Sequence, residues 1–409
     1  MKFHHRAVPI ALAAVLVDTI GFGIVLPVLP TLIVELGQVS LAEATRIGGY
    51  MLIAFAAAQF FAGPVVGSLG DRFGRRPVML ASMLAFGIDY ALMAFAPTLL
   101  WLFVGRIVAG ITGALYGPAN AILADVTPLD KRGAVFGLMG AAFGIGFIIG
   151  PAIGGLLSDL GPRAPFFAAA AFAAVNTVAI ALLLPETHAP ENRRPFTWSR
   201  ANAFGAFKPL FAVAPGAAAL LGAVLLWQLA HMVYPSTWAF WAEIALDWTP
   251  REIGWSLAIT GVCMAVVQAT VTGRLIAAFG EARTLMLGLA VGVLVFAGYS
   301  LVTETWQVYA LLVISSLTGV VFPSLNAILS RSVDAKNQGA LQGGMASLAS
   351  IAAVIGPLAL TQALAFGSER GETSGNFILA SALAGATLVV VWLGVVRRGA
   401  LRSPDPAAG

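Results

Sequence analysis

Gly67-Ser68-Leu69-Gly70-Asp71-Arg72-Phe73-Gly74-Arg75-Arg76 is the stretch on which the reading of the fold turns. It joins an apolar run near 47–69 to another near 77–96, each long enough for a bilayer crossing, which needs about 20 apolar residues. Apolar runs parted by short charged or Gly/Pro-containing breaks continue outward on both sides. They lie near 8–34, 47–69, 77–96, 98–123, 134–158 and 164–184, and then near 211–240, 252–277, 284–302, 305–329, 339–366 and 375–396. Lipid obliges each span to satisfy its own backbone hydrogen bonds. The expected fold is therefore all-α, a polytopic membrane protein of twelve transmembrane helices. The first run follows Lys2 and Arg6 but is too long for a signal-peptide core. It carries Asp18 and lacks a cleavage-like site, so it counts as a span.

Composition agrees. Of 409 residues, 59% are hydrophobic and 10% charged, where an ordinary globular chain has roughly 25% charged; mean hydropathy is +0.89. Too few charges remain to cover a soluble surface. A cytosolic enzyme, a disordered chain and a secreted disulfide scaffold are excluded, the last also by the single cysteine, Cys263.

Lys and Arg placement sets the expected orientation. With the N-terminus inside, the inner segments hold Lys2, Arg6, Arg72, Arg75, Arg76, Lys131, Arg132, Arg193, Arg194, Arg200, Lys208, Arg274, Arg283, Arg331, Lys336, Arg397, Arg398 and Arg402, which is 18 of 23. Only Arg46, Arg163, Arg251 and Arg370 fall outside, and Arg106 lies within a span. Both termini are expected in the cytoplasm. The same distribution explains the basic pI by inner-leaflet attraction rather than by nucleic acid.

Shifting the chain by 206 residues superimposes Ile47-Gly48 on Ile253-Gly254, Gly67-x-Leu69 on Gly273-x-Leu275, and Phe73-Gly74 on Phe279-Gly280. Thr112-Gly113 then meets Thr318-Gly319, Asn120 to Leu123 meets Asn326 to Leu329, Gly133-Ala134 meets Gly339-Ala340, and Gly150-Pro151 meets Gly356-Pro357. The expected organisation is a six-helix half over 1–184, a polar linker over 185–209 and a second half over 210–409. Parallel halves about an axis along the membrane normal are a transporter plan, with substrate held between them at the midplane.

Three motifs stand out. The first is the stretch quoted above, Gly67 to Arg76. The second is Leu102-x-x-x-Arg106-x-x-x-Gly110. The third is Gly146-x-x-x-Gly150-Pro151-x-x-Gly154-Gly155. Together they resemble the signature motifs of the major facilitator superfamily, the third its antiporter branch. Asp18 just before Gly21-x-Gly23, the run Leu26 to Pro30, Gln59, Asp89-Tyr90 and Gln338 to Gly343 make the chain look like the tetracycline-efflux antiporters, which exchange drug for protons. The resemblance covers nearly the whole chain and is strongest in the first half.

Each motif also has a physical reading. Gly67 can let helices approach closely. Asp71 can face an arginine or the positive N-terminus of another helix, as a latch made when the inner side is closed. Alternatively, Arg72, Arg75 and Arg76 simply serve the positive-inside rule. Asp71 meets Ala277 in the repeat, so any latch belongs mainly to the first half. Gly150-Pro151 bends span five while nearby glycines permit tight packing, for packing alone or to occlude a leak path.

With loops set aside, Asp18, Asp89 and Arg106 are the charged side chains expected inside spans, where ionisable groups are costly and by default functional. At ~1.5 Å per residue they fall about 15, 18 and 12 Å from the starts of their spans, within roughly two turns of the midplane. Burial favours an uncharged carboxyl and a nearby guanidinium favours a charged one. A carboxyl moved between those settings can bind and release a proton. Asp18 is read as the principal proton site, with Arg106 beside it and Asp89 in support; the alternative is a static Asp–Arg pair holding helices together.

Gln59, Asn120, Gln228, His231, Gln268 and Asn326 are candidates for substrate contact, or else for interhelical hydrogen bonding. His231, near Trp227, Tyr234 and Trp238, could titrate, stack on a drug or make a structural hydrogen bond. The aromatic run from Trp238 to Trp248 reads as an interfacial anchoring belt. Tetracycline pumps characteristically carry a His in span eight and an Asp in span nine, where this chain has Met264 and Gly292. The second half is read as lacking a buried acid, which bears on substrate rather than fold.

The expectation is a proton-coupled antiporter exporting a small amphiphilic, tetracycline-like or other drug, monomeric in the inner membrane and surrounded by lipid. A proton-coupled importer or facilitator of a small metabolite would share the fold. No cofactor or metal is expected: His4, His5, His188 and His231 are scattered, and no nucleotide-binding loop occurs, since the Gly-x-Gly strings follow no strand.

Overall fold

In a computed structural model, the described residues are 5–113, 115–198, 202, 215–331, 333 and 338–396. Lys2, Arg200, Lys208, Lys336, Arg397, Arg398 and Arg402, used in the charge count, lie outside them, as does most of 199–209. Among the described residues every regular element is helical.

Span one is two helices, Ala7–Val25 and Leu29–Gly37, parted around Pro27, which has no N–H to continue the ladder. Span two runs Leu41–Phe73, its start capped by Ser40 Oγ, which accepts from Glu43 N at 3.2 Å. Span three is Arg75–Ala94, span five Arg132–Leu157 and span six Ala164–Leu183. Span four breaks between Leu99–Thr112 and Tyr116–Val126. Span seven joins Pro215–His231 to Val233–Leu246. Span eight, Pro250–Val266, passes through a π-helical turn at Val267–Val271. Span ten has a 3₁₀ turn, Ser316–Val320, between Thr305–Ser315 and Val321–Arg331. Spans eleven and twelve are Gln338–Ser368 and Gly375–Val391.

Among the described residues, eleven helical stretches are long and apolar enough to cross a membrane. One of them, Pro250–Tyr299, is 50 residues long. Gly280, at φ 77°, divides it between spans eight and nine. That restores the expected twelve. The outward faces are apolar, with Ile88, Val104, Val178 and Leu294 among the exposed side chains, as a lipid-facing surface requires.

The quoted motif is less of a loop than the sequence suggests. Helix continues to Phe73, and Gly74 alone, at φ 105°, turns the chain into span three. Only glycine adopts that backbone readily. The linker's Glu186 carboxylate sits where a Gly74 Cβ would be and accepts from the N–H groups of Arg75 (2.9 Å) and Arg76 (3.3 Å). A linker side chain thus caps span three.

The chain forms two compact units. The first comprises Met1–Gly205 with Ala242–Gly261, the second Ala206–Trp241 with Val262–Gly409. In the first, span one packs on spans five and six, span three on six, and span two on four. In the second, span seven packs on eleven and twelve, and span nine on ten and twelve.

Candidate functional site

The antiporter motif builds the wall beside Asp18. Gly146, Gly150 and Gly154 recur every fourth residue, so they share one face of span five. A Cβ at Gly146 would lie 2.7 Å from Thr19 Cβ, one at Gly150 2.6 Å from Ile20 O, and one at Gly154 against the carbonyl of Ile24. Gly23 answers from span one, where a Cβ would stand 2.7 Å from Pro151 Cδ. The two backbones touch, as small residues allow in membranes. The other edge of span five meets the start of span eight: a Cβ at Gly155 would be 3.0 Å from Pro250 O, and one at Gly254 would strike the carbonyl of Pro151. Arg251 Nη1 and Asp159 Oδ2 close that edge at 3.1 Å.

Asp18 is half-buried on span one, between buried Val15 and Thr19. It does not lie on a fully exposed face. A Gly21 Cβ would sit 3.2 Å from the Tyr90 hydroxyl. The structure therefore sets Tyr90, the neighbour of Asp89, against span one at Gly21, three residues past Asp18.

Asp89 is wholly buried on span three, and neither carboxyl oxygen has a hydrogen-bond partner. Arg106 on span four is 6% exposed; its Nη2 donates to Met93 Sδ at 3.0 Å and its Nε has no partner. Thioether sulfur is a weak acceptor. No hydrogen bond joins Asp89 to Arg106. A Gly105 Cβ would come 3.0 Å from Asp89 Oδ1 and 2.6 Å from Met93 Cγ. Glycine there is what lets Asp89 and Met93 both lie against span four. Nearby, buried Asn176 donates to Ala14 O at 3.0 Å, tying span six to span one.

Around the first motif, Arg75 Nη2 pairs with Asp71 Oδ1 at 2.7 Å and its Nε reaches Asp125 Oδ2 at 3.5 Å. His188 Nδ1 stands 3.8 Å from the same Asp125 oxygen. Arg76 Nη2 donates to Ala181 O at 2.6 Å, and Asp71 O accepts from Arg194 N at 3.0 Å. Arg72 stacks over Phe73, its guanidinium carbon 5.0 Å from the ring centre. A Cβ on Gly67 would meet nothing within 4 Å. Close helix approach at Gly67 is thus not what this structure uses. Asp125 and Glu186 were missed because one falls past the expected end of span four at 123, in a helix that runs on to Val126, and the other lies in the linker. Only the local excess of arginine signals their role.

Of the substrate candidates, Gln59 Nε2 donates to Gly113 O at 3.2 Å, at the break in span four. Asn326 Oδ1 accepts from Gln342 Nε2 at 3.0 Å. Asn120 and Gln228 are half-buried. His231 packs between Trp227 (tilted, 5.4 Å between centroids) and Tyr234 (edge-on, 5.3 Å), and its Nδ1 lacks a partner. Gln268 stands exposed on the π-helical turn.

Two readings need correction. Trp238 and Trp241 are 1% exposed and Trp248 is 3% exposed. They form no lipid-facing belt. Trp241 packs edge-on to Phe377 at 4.8 Å and Trp238 to Tyr299 at 5.3 Å, so burying these rings against spans nine and twelve is what holds them. Further, Val233–Leu246 carries span seven past the expected boundary at 240, and so takes in Glu243, whose Oε2 is buried without a partner. Charged groups within spans are therefore not confined to Asp18, Asp89 and Arg106, and the half after the linker does hold a buried acid oxygen.

Among the described residues no group of three or more His, Cys, Asp or Glu could hold a metal ion. The profile described as Major Facilitator Superfamily matches residues 11–244 and 229–409. "Tetracycline resistance protein, class C" of Escherichia coli is 38% identical over 97% of this chain and 98% of its own length. "Tetracycline resistance protein, class G" of Vibrio anguillarum is 36% identical over 95% and 96%. The crystal structure of the human organic anion transporter MFSD10 shares the fold, with a TM-score of 0.70 at 24% identity, over 96% of this chain and 100% of that one. With motifs, repeat, helical architecture and full-length relatives in agreement, the chain belongs to the major facilitator superfamily and is a membrane transporter, not an enzyme.

Proposed function

We propose that this protein exports a small amphiphilic, tetracycline-like drug across the inner membrane in exchange for protons, as a monomer with both termini in the cytoplasm. Full-length kinship to tetracycline resistance proteins supports the substrate class, and the Lys and Arg distribution supports the orientation. The observation that carries the mechanism is that buried Asp89 has neither carboxyl oxygen bonded, while Arg106 leaves Nε unpartnered and gives Nη2 only to the Met93 thioether. A static structural pair would be closed. Leaving a buried polar group unpaired costs about 1–3 kcal/mol and more for a charged one, so the open arrangement supports a cluster that changes partners during transport.

Asp18 on span one is the proton carrier in this reading, Asp89 its support and Arg106 the fixed positive charge. Span one lies on the glycine face of span five, so the carboxyl's surroundings depend on how those two backbones sit. The Asp71–Arg75–Asp125 group and the Glu186 cap are read as the inner latch, with Arg72 and Arg76 anchoring the same turn. Gln59, Asn120, Gln228, His231, Gln268 and Asn326 remain the substrate-facing candidates.

Proteoliposomes test the proposal. With an imposed proton gradient, wild-type protein is expected to accumulate tetracycline, and a protonophore to abolish this. Asp18→Asn is expected to lose gradient-driven accumulation while keeping energy-independent drug exchange. Gradient-driven transport that survives in Asp18→Asn removes Asp18 from the role. Drug movement in the same direction as the protons makes the protein an importer.

A further inference from the structure

The linker does more than cross from one half to the other. Between Glu186 and Arg194 it is tied twice to the turn that joins spans two and three. At one end, Glu186 Oε1 accepts from the N–H groups of Arg75, Thr187 and His188, each at 2.9 Å, and Oε2 from that of Arg76 at 3.3 Å. At the other, Arg194 N donates to Asp71 O at 3.0 Å. His188 is thereby held by its own backbone, and its side chain is 12% exposed.

The ring is the badly satisfied part of this strap. Its Nε2 is buried without a partner, and its Nδ1 stands 3.8 Å from Asp125 Oδ2, too far for a hydrogen bond. A neutral imidazole has one donor and one acceptor nitrogen, so neither tautomer is satisfied there. A buried polar group left in that state is uncommon and calls for a reason. The charges around it point to one. Asp71 is occupied by Arg75 at 2.7 Å, and Glu186 by backbone N–H groups. Among the cations, Arg76 turns to Ala181 O, and Arg132, at the start of span five, to Ala124 O (2.8 Å) and Thr127 O (3.2 Å). Arg72 lies over Phe73. Asp125 is held loosely, by Arg75 Nε at 3.5 Å on the same Oδ2 that His188 approaches. Among these side chains it is the acid with room for a second cation. Histidine is the side chain that takes on charge in the physiological range.

We propose that His188 is a cytoplasmic proton sensor on the inner latch. A proton from cytoplasmic water binds Nδ1, and the new N–H closes on Asp125 Oδ2 as a charge-assisted hydrogen bond, shorter and stronger than a neutral one. The linker, already fixed at Glu186 and Arg194, is then clamped across the ends of spans two, three and four. Opening that side requires breaking one more bond, so export slows as the cytoplasm turns acid. The proton returns to the same water when the cytoplasm turns neutral; it is not carried across the membrane, and its site is separate from Asp18. This rests on the reading of the Asp71–Arg75–Asp125 group as a latch.

Inverted membrane vesicles, which put the cytoplasmic face in the bath, test the sensor. Tetracycline uptake is measured at a bath pH of about 7.5 and about 5.5, on either side of histidine titration, with the lumen held about one pH unit more acid each time. The driving force is then constant, and the contribution of Asp18 is common to wild type and variant. Relative to its own rate in the neutral bath, wild type in the acid bath is expected to be about 3- to 10-fold slower than His188→Gln, the scale of one hydrogen bond. Asp125→Asn, read against its own neutral rate, is expected to lose the same component. Melting curves of the full-length protein in detergent give a second readout. Wild type is expected to melt about 2 °C above His188→Gln at the acid pH and level with it at the neutral one. Equal transport ratios with no melting difference overturn the sensor and leave the latch untouched. A melting difference with equal transport ratios makes the group a brace, which overturns the latch reading and the sensor together.

Discussion

The two units share a frame and differ in chemistry. Shifted by 206 residues, Asp18, Asp89, Tyr90 and Arg106 fall on Val224, Val295, Phe296 and Leu312, all buried. One position keeps its ring and loses only the hydroxyl. The frame persists elsewhere: Gly74 and Gly280 both turn the chain at positive φ, 105° and 77°. The paired residues beyond them persist too, with charges inverted, as Arg75 faces Asp125 while Glu281 faces Arg331. Duplication preserved what the backbone requires, and this charged cluster stands in one copy alone. If the cluster is the proton machinery, making the first unit resemble the second at those positions removes proton coupling and spares the fold.

The largest effect is expected there. Asp18→Val or Asp89→Val, each copying the second unit, is expected to cut gradient-driven tetracycline accumulation by about 100-fold, the scale on which positioned proton-transfer groups act. In Asp89→Val the melting temperature is expected to hold or rise, because a buried polar group without a partner is replaced by an apolar one. Transport within tenfold of wild type in both variants breaks the assignment of proton chemistry to the first unit.

Next come the helix seams. Gly150→Ala drives a methyl into backbone, Ile20 O at 2.6 Å and Gly23 Cα at 2.9 Å, with no side chain to yield. Gly356, its repeat partner, faces the Met232 side chain at 2.6 Å. Methionine adapts readily. Gly150→Ala is expected to cost about 1–3 kcal/mol and Gly356→Ala less than about 1 kcal/mol, read as melting temperatures in detergent. Equal losses would mean that span one sits no closer to span five than Met232 does to span eleven.

Much of this was open to sequence reading because lipid leaves few options. Span number followed from apolar length, and the twofold plan from one constant offset. Asp18, Asp89 and Arg106 were recognisable because charge in a span is rare. What escaped reading depends on placement. Gly74 is one glycine among 45, and its use as the whole turn shows only in its φ. Glu243 escaped because the helix outruns its apolar stretch. Trp238 and Trp241 fit an interfacial belt by composition, and only their contacts with Tyr299 and Phe377 show a core. Tyr90 is an ordinary aromatic until its hydroxyl is found against Gly21 of span one, three residues past Asp18.

A smaller effect is expected at that ring. Tyr90→Phe reproduces Phe296 and keeps the edge-on contact with Phe86 at 4.6 Å. Removing one hydroxyl from the cluster is expected to slow gradient-driven transport about 3- to 10-fold while moving stability by less than about 1 kcal/mol. A wild-type rate in Tyr90→Phe makes the tyrosine a packing residue like its counterpart.

The smallest effect concerns the inverted pairs. Glu281 Oε1 meets Arg331 Nη2 at 2.6 Å, with the arginine side chain 76% exposed. Exposed pairs contribute about 0–1 kcal/mol, so Glu281→Gln is expected to be nearly silent in a melting curve. The first-unit pair differs because the partner Asp125 is 27% exposed where Arg331 is 76%, and because Arg75 is shared between Asp71 and Asp125. In the second unit Ala277 stands where Asp71 does, so no third partner competes. The triple variant Asp71→Ala, Arg75→Glu, Asp125→Arg therefore transplants the second unit's arrangement into the first, leaving Glu186 on the backbone N–H groups of residues 75 and 76. If the pair serves only to tie helix ends, the transplant is expected to melt within about 1 kcal/mol of wild type and to transport normally. If Asp71 and Arg75 form a latch that opens during transport, the same protein is expected to fold as well but to move drug several-fold more slowly, because charge sign matters to a latch and not to a brace.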